Sequence, residues 1–179
     1  METNDFDKFV ARQQETDVDI DWAGMRDEWL RNLGSLYEQV RKFLQDYIKD
    51  GSISYAFTEV DLTEENIGSY SAKKMDIRIG RQRVSLVPVG TLLIGSKGRV
   101  DVVGSAGRAL ILLVNRSVRS AADLIKVTVS IGGSAPPRPP APVRPISWTW
   151  KIVTNAPQRQ FVDLEKEAFL RLLMEIANA

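Results

Sequence analysis

Residues 76–115 constrain this chain more than any other stretch. They read DIRIGRQRVSLVPVG, TLLIGSKGRVDVVGSAG and RALILLVN, short strand-like runs cut by Gly80, Gly90, Gly95, Gly98, Gly104 and Gly107. Ile77 and Ile79 alternate with Asp76 and Arg78, the pattern of a strand with one inward face. Gly80-Arg81 predicts a tight reversal, because glycine takes a positive φ without penalty. Val84, Leu86 and Pro88 share one face of the returning strand. Pro88 donates no ladder hydrogen bond and marks a strand end or an edge. Residues 99–103 read as a further strand, and 104–107 as a hairpin connection. Residues 109–114 are apolar without alternation. That suits a central strand covered on both faces, with a short buried helix as the alternative.

Charge is unevenly distributed along the chain. The formal net charge is +1, yet residues 1–67 carry sixteen acids and seven bases. Between Ile77 and Ser120 eight bases stand against one acid, Asp101. The two regions can face each other within or between chains, or the basic region can await a polyanion. The plainer alternative is arginine on a solvated sheet face.

Composition narrows the chemistry. The 179 residues fit one domain with appendages, and an apolar fraction of 44% supports a core. With no Cys, disulfides, thiol nucleophiles and zinc thiolate sites are excluded. With no His, the commonest general base and transition-metal ligand go too. A carboxylate-only Mg²⁺ site stays open, but no cofactor is expected. No apolar run approaches the roughly 20 residues that span a bilayer. METNDFDKF lacks a signal-peptide apolar region, so a soluble cytoplasmic protein is the expectation.

Residues 1–20 read as an acidic N-terminal arm, with Phe6, Phe9 and Val10 as docking anchors. Residues 21–179 read as a single α+β domain. Residues 22–48 predict a long helix whose stripe is Trp29, Leu36 and Phe43, flanked by Leu33, Val40 and Tyr47 and by Leu30, Tyr37 and Leu44. Asp21 can cap its start and Asp50-Gly51 its end. The stripe is too wide for a coiled-coil seam and contains Gly34, so packing on a sheet is expected. Residues 52–60 predict a strand with Ile53, Tyr55 and Phe57 on one face, followed by a turn at 63–66. One helical turn is expected at 120–124 and a strand at 125–131. The segment 132–145, GGSAPPRPPAPVRP, holds six of the eight prolines and predicts an extended polyproline loop. It formally fits P-x-x-P-x-R, but a stiff connector is the favoured reading. Ile146, Trp148, Trp150 and Ile152 alternate as a half-buried strand. A turn at 155–157 and a closing helix capped by Asp163, with Phe169, Leu172, Leu173 and Ile176 in one stripe, complete the chain. The expected architecture is α+β: a long N-terminal helix, about seven mostly antiparallel strands in a meander, and a closing C-terminal helix, both helices on one sheet face.

No catalytic set is complete. Gly95-Ser96-Lys97-Gly98-Arg99 lacks P-loop spacing and reads as a hairpin turn. Asp101, a hairpin and an apolar strand follow the order of the PD-(D/E)xK nuclease core. Leu113 and Asn115 stand where its Glu and Lys would be, which leaves at most a degenerate relative. Ser96, Ser105 and Ser130 have no His partner, and Lys97 beside Ser96 should be solvated. Pro88-Val89-Gly90, Ile94-Gly95-x-x-Gly98-Arg99-Val100-Asp101, Trp148-x-Trp150-Lys151 and the helix at 163–178 together resemble small uncharacterised bacterial proteins, from about Pro88 to the C-terminus. That resemblance carries no activity and no functional residues.

The function these observations point to is a non-catalytic binding module: an accessory subunit or partner protein in a bacterial assembly, phage-related or defence systems included. Arg78, Arg81, Arg83, Lys97, Arg99, Arg108 and Arg116 would form its contact face. A protein partner is the first expectation and nucleic acid the alternative; a membrane is not expected, and homo-oligomerisation stays open. The third reading is a divergent Mg²⁺-dependent nuclease or hydrolase.

Overall fold

The computed structural model describes residues 20–91, 95–124, 146–154 and 159–178. The expected arm at 1–20 (save Ile20), strand at 125–131, loop at 132–145 and turn at 155–157 lie outside the described residues. The remainder is an α+β layer structure. Helix α1 (Trp22–Lys49) comes first. Strands β1 (Ile53–Glu64), β2 (Gly68–Ile79), β3 (Gln82–Gly90), β4 (Ser96–Gly104), β5 (Gly107–Asn115), β6 (Trp148–Val153) and β7 (Phe161–Asp163) follow, and helix α2 (Lys166–Ala177) closes the chain. The seven strands pair in sequence order, every pair antiparallel, as an uninterrupted meander.

Each helix brings one apolar stripe to the same face of the sheet. Asp21 accepts a hydrogen bond from the Gly24 amide at 2.8 Å and starts α1, while Gly51, at φ 80°, lets the chain leave it. Trp29, Leu33, Leu36, Tyr37, Val40 and Leu44 are buried from α1, and Phe169, Leu172, Leu173 and Ile176 from α2. They meet Met75, Ile77, Val84, Leu86, Val100, Val102, Ile111, Leu113, Trp150 and Ile152 in one core. Phe43 and Phe169 join the two helices at 6.0 Å between ring centres. Tyr47, the last member of the expected stripe, remains exposed.

Small residues mark where helices press on strands. The Trp29 ring lies over Gly98, where an added Cβ would stand 2.2 Å from the ring. Trp29 also meets Trp150 at 6.2 Å. At the β4–β5 turn the Ala106 amide donates to Ile176 O at 2.9 Å and the Ser105 hydroxyl to Ala177 O at 2.9 Å. The turn therefore satisfies carbonyls that the end of α2 leaves open. A Cβ at Gly104 would come within 2.4 Å of Ile176 O, so the Gly-Ser-Ala-Gly sequence of this hairpin is a seat for the helix.

The β1–β2 hairpin pairs without a register shift from Ile53↔Ile79 to Glu64↔Gly68, but β3 accompanies only its base, from Met75 to Ile79. Its two ends bury opposite faces. Ile53, Met75 and Ile77 enter the core at the base, whereas Val60, Leu62, Tyr70 and Ala72 do so toward the tip. A change of buried parity along one hairpin requires strong coiling, the ordinary right-handed twist carried far. Glu64 fastens the tip: its carboxylate accepts from the Thr91 amide and hydroxyl, both at 2.8 Å, and from the Tyr70 hydroxyl. Gly90, at φ 142°, permits that approach.

The far side of the sheet is divided. Over β5–β7, Leu112, Val114, Val118, Val153 and Phe161 form a second small core beneath the segment after β5. Here β5 is covered on both faces, as its unbroken apolar run requires. Lys151 is the departure from alternation: it points to this side yet is wholly buried. Its ammonium donates to Arg116 O at 3.0 Å and Val118 O at 2.7 Å and pairs with Asp163 at 3.2 Å. Asp163, expected as the cap of the closing helix, instead ends β7 and meets Lys151. Glu165 occupies the cap position and makes no side-chain cap hydrogen bond. β7 is three residues long, too short to display alternation, and was not expected from the sequence.

Two substitutions test this packing by chemical denaturation. Gly98→Ala forces a methyl into the Trp29 ring and should lower stability by about 1–3 kcal/mol. Lys151→Met removes the charge but leaves two carbonyls and Asp163 without their donor, and should cost about 2–4 kcal/mol. Wild-type midpoints in both variants would contradict the assigned contacts.

Candidate functional site

Strand alternation places Ser54, Ala56 and Thr58 of β1 on the side of the sheet away from the helices. Lys74, Asp76 and Arg78 of β2, and Arg83 and Ser85 of β3, stand beside them. Arg99 and Asp101 of β4 and Arg108 of β5 complete this surface. This is the open half of the face, beside the covered half over β5–β7. A shallow concavity of about 340 Å³ is lined by Ser54, Ala56, Thr58, Asp76, Arg78 and Arg83, with Tyr55 and Ile77 of the same two strands reaching its wall.

The register determines the electrostatics. Arg78 stands directly opposite Arg83. Like charges at opposed positions repel, and among the described residues neither arginine has an ion-pair partner. Their nearest compensation is Asp76, which faces Ser85 across the ladder. The Ser85 hydroxyl donates to Asp76, and Lys74 pairs with it at 3.3 Å. Burial pushes the Asp76 carboxyl up. The Ser85 and Lys74 hydrogen bonds, with the charges of Lys74 and Arg83, outweigh that and hold it below the usual carboxylate range.

Asp101 is buried and committed. Arg99 binds it in bidentate fashion at 2.7 and 3.1 Å, and Arg108 approaches at 3.4 Å. Arg108 remains 63% exposed, so its guanidinium still faces solvent. Leu113 lies on the helix-covered face, opposite in parity to Asp101, and the Asn115 side-chain Oδ1 accepts from the Ser117 amide and hydroxyl. Neither position stands with Asp101 as a nuclease pair would. Among the described residues no three carboxylates gather to hold a metal ion.

The seven basic residues expected as one contact surface therefore separate. Arg78, Arg83, Arg99 and Arg108 share the open face, and Arg81 sits in the β2–β3 turn at its end. Lys97 does not join them. A register shift between Ser96 and Gly98 turns it to the helix side, where it pairs with Glu28 of α1 at 2.8 Å and lies over the Trp148 ring at 4.9 Å. One cation is thus neutralised by the acidic N-terminal region. Arg116 follows the opposite end of β5 from Arg108 and lends its backbone to Ser147 and Lys151. Lys74, Asp76, Ser54, Thr58 and Ser85 were missed as members of the surface. Their signal was the polar parity of β1 and β2, which becomes informative only once Arg78 is paired with Arg83.

No family model, no curated protein and no solved structure matches this chain. Among the described residues no helix is long and apolar enough to cross a membrane.

The Asp76 environment predicts a pH effect. A carboxyl held low in the folded state contributes stability above its unfolded value of about 3.9, and that contribution is lost as pH falls through the folded value. Stability of the wild type should drop more steeply than that of Asp76→Asn between about pH 5 and about pH 2. Parallel profiles from denaturant titrations would refute this.

Proposed function

We propose that the protein is a non-catalytic binding module, an accessory subunit or partner protein in a bacterial assembly, and that the open half of its sheet docks an acidic protein surface. It works in the cytoplasm on this reading. One observation carries the proposal: Arg78 and Arg83 stand opposite each other across β2 and β3, and among the described residues neither has an ion-pair partner, Asp76 acting on Arg83 only through its charge. A fold that only needed solubility would gain by opposing unlike charges here. Each guanidinium can offer a carboxylate its planar two-donor fork, the geometry in which arginine binds best. Arg108 and the Arg99–Asp101 pair extend the surface toward β5.

The side chains favour protein over nucleic acid. Ser54, Ala56 and Thr58 floor the concavity, while Tyr55 and Phe57 turn toward α1, Tyr37 meeting Phe57 at 5.4 Å. Single-stranded nucleic acid usually binds through aromatics interleaved with the cations; here Tyr55 reaches the concavity's lining, but no aromatic alternates with Arg78 and Arg83 on the open side of β1, β2 and β3.

Affinity recovery from extracts of the source bacterium, followed by mass spectrometry, tests the proposal. Arg78→Glu/Arg83→Glu should reduce recovery of the wild type's protein partner at least tenfold, roughly the effect of reversing charge at a complementary interface. Its melting curve should stay close to that of the wild type. Undiminished recovery would reject the open face as the docking surface. Salt-sensitive retention of nucleic acid by the wild type would favour the nucleic-acid reading instead.

A further inference from the structure

The sheet has two edges, and they are built differently. β7 offers three residues. β1 offers twelve, and nothing among the described residues pairs with its free side. Proteins usually blunt such an edge with lysine, proline, a bulge or a short strand. The β1 sequence ISYAFTEVDLTE contains no lysine, arginine, proline or glycine, and its ladder with β2 runs without a shift. Register shifts do occur elsewhere, in β3–β4 and β4–β5.

We infer that β1 is the contact edge of a two-fold dimer, in which a second copy of this chain continues the sheet through an antiparallel β1–β1 pair. A two-fold perpendicular to the sheet keeps each face on its own side, so it opposes residues of like parity. With Ala56 on the axis, Ser54 falls opposite Thr58, Tyr55 opposite Phe57 and Ile53 opposite Glu59. The first is a small hydroxyl pair and the second an aromatic pair, both favourable across a ladder. No acid meets an acid, because Asp61 and Glu64 lie beyond the paired stretch. Ser54, Ala56 and Thr58 are all exposed, and Phe57 is 41% exposed despite its ring contacts with Tyr37 and Tyr55.

The helix layer leaves room for this partner. Tyr37 and Arg41 of α1 lean over the edge strand, Arg41 lying 5.3 Å from the Tyr55 ring centre. Helical spacing puts Gly34 on their flank, and nothing stands within 4 Å of where its Cβ would be. A bare backbone there allows two α1 helices to approach closely. The dimer would set the two copies of the Arg78–Arg83 concavity side by side across the axis, although the inference does not depend on what those arginines bind.

The chain has no cysteine, so single-cysteine variants report the pairing cleanly. Opposed residues in an antiparallel pair have Cα atoms about 4.5–5.5 Å apart, within disulfide reach. Ala56→Cys should oxidise to a covalent dimer, whereas Thr58→Cys, displaced from its own counterpart, should form little disulfide-linked dimer. Native mass spectrometry of the wild type should give twice the chain mass of 20.1 kDa. Ala56→Lys, which places two ammonium groups at the axis of an exposed position, should give the single mass with an unchanged circular-dichroism spectrum. A monomeric wild type, a dimer indifferent to Ala56→Lys, or a disulfide that forms as readily at Thr58→Cys overturns the inference. Arg78→Glu/Arg83→Glu should still dimerise, which separates this result from the fate of the docking face.

Discussion

The constraint on which this structure depends is that both helices claim the same face of one sheet. Trp29 is the contact that makes this specific. It sits on Gly98 of β4 and against Trp150 of β6, so the first helix grips strands that the chain reaches only much later. Phe43 and Phe169 then tie the last helix to the first. Buried aromatics of this size dominate core energetics, and a core-side methyl at Gly98 is not accommodated. With both helices spent on one face, the opposite face must be finished by other means.

It is finished in two ways, and the division gives the molecule its surface chemistry. Over β5–β7 the face is apolar and covered, with Lys151 sealed in by two carbonyls and Asp163. A buried ammonium of this kind is tolerated because its hydrogen bonds are met. Over β1–β3 the face is mostly polar and open, with Asp101 of β4 buried at its border, and Arg78 and Arg83 oppose each other in the ladder. The fold can hold that repulsion because Ile77 and Val84, the adjacent ladder pair, are wholly buried on the other side and fix the register. The proposed role rests on this: strong burial on one face holds charges in place on the other.

Much of the fold was legible in the chain. The α1 stripe, the Asp21 cap, the Gly80 reversal and the connection at 104–107 follow from local periodicity and turn chemistry, and the antiparallel order of β1 to β5 follows from short connections, whereas the long segment between β5 and β6 hides their pairing. Tertiary facts were not legible. Lys151 alternates as if solvated, and only the segment folded back after β5 buries it. Asp163 looks like a helix cap until β7 pairs with β6 and brings it to Lys151. The basic surface was readable as composition but not as geometry. One irregularity between Ser96 and Gly98 sends Lys97 to Glu28 on the helix side, and no sequence period encodes a bulge of that kind.

The account's central claim is that the open β1–β4 face, and not the helix layer, receives an anionic protein surface. A two-dimensional ¹H–¹⁵N titration that observes backbone amides and arginine Nε–Hε groups, with polyglutamate as the probe, tests it most directly. The account predicts shifts at Arg78, Arg83 and Arg108 and at the amides of Ser54, Thr58 and Ser85, with α1 and α2 unmoved. Shifts centred on the helices, or an unchanged spectrum at low salt, would contradict it.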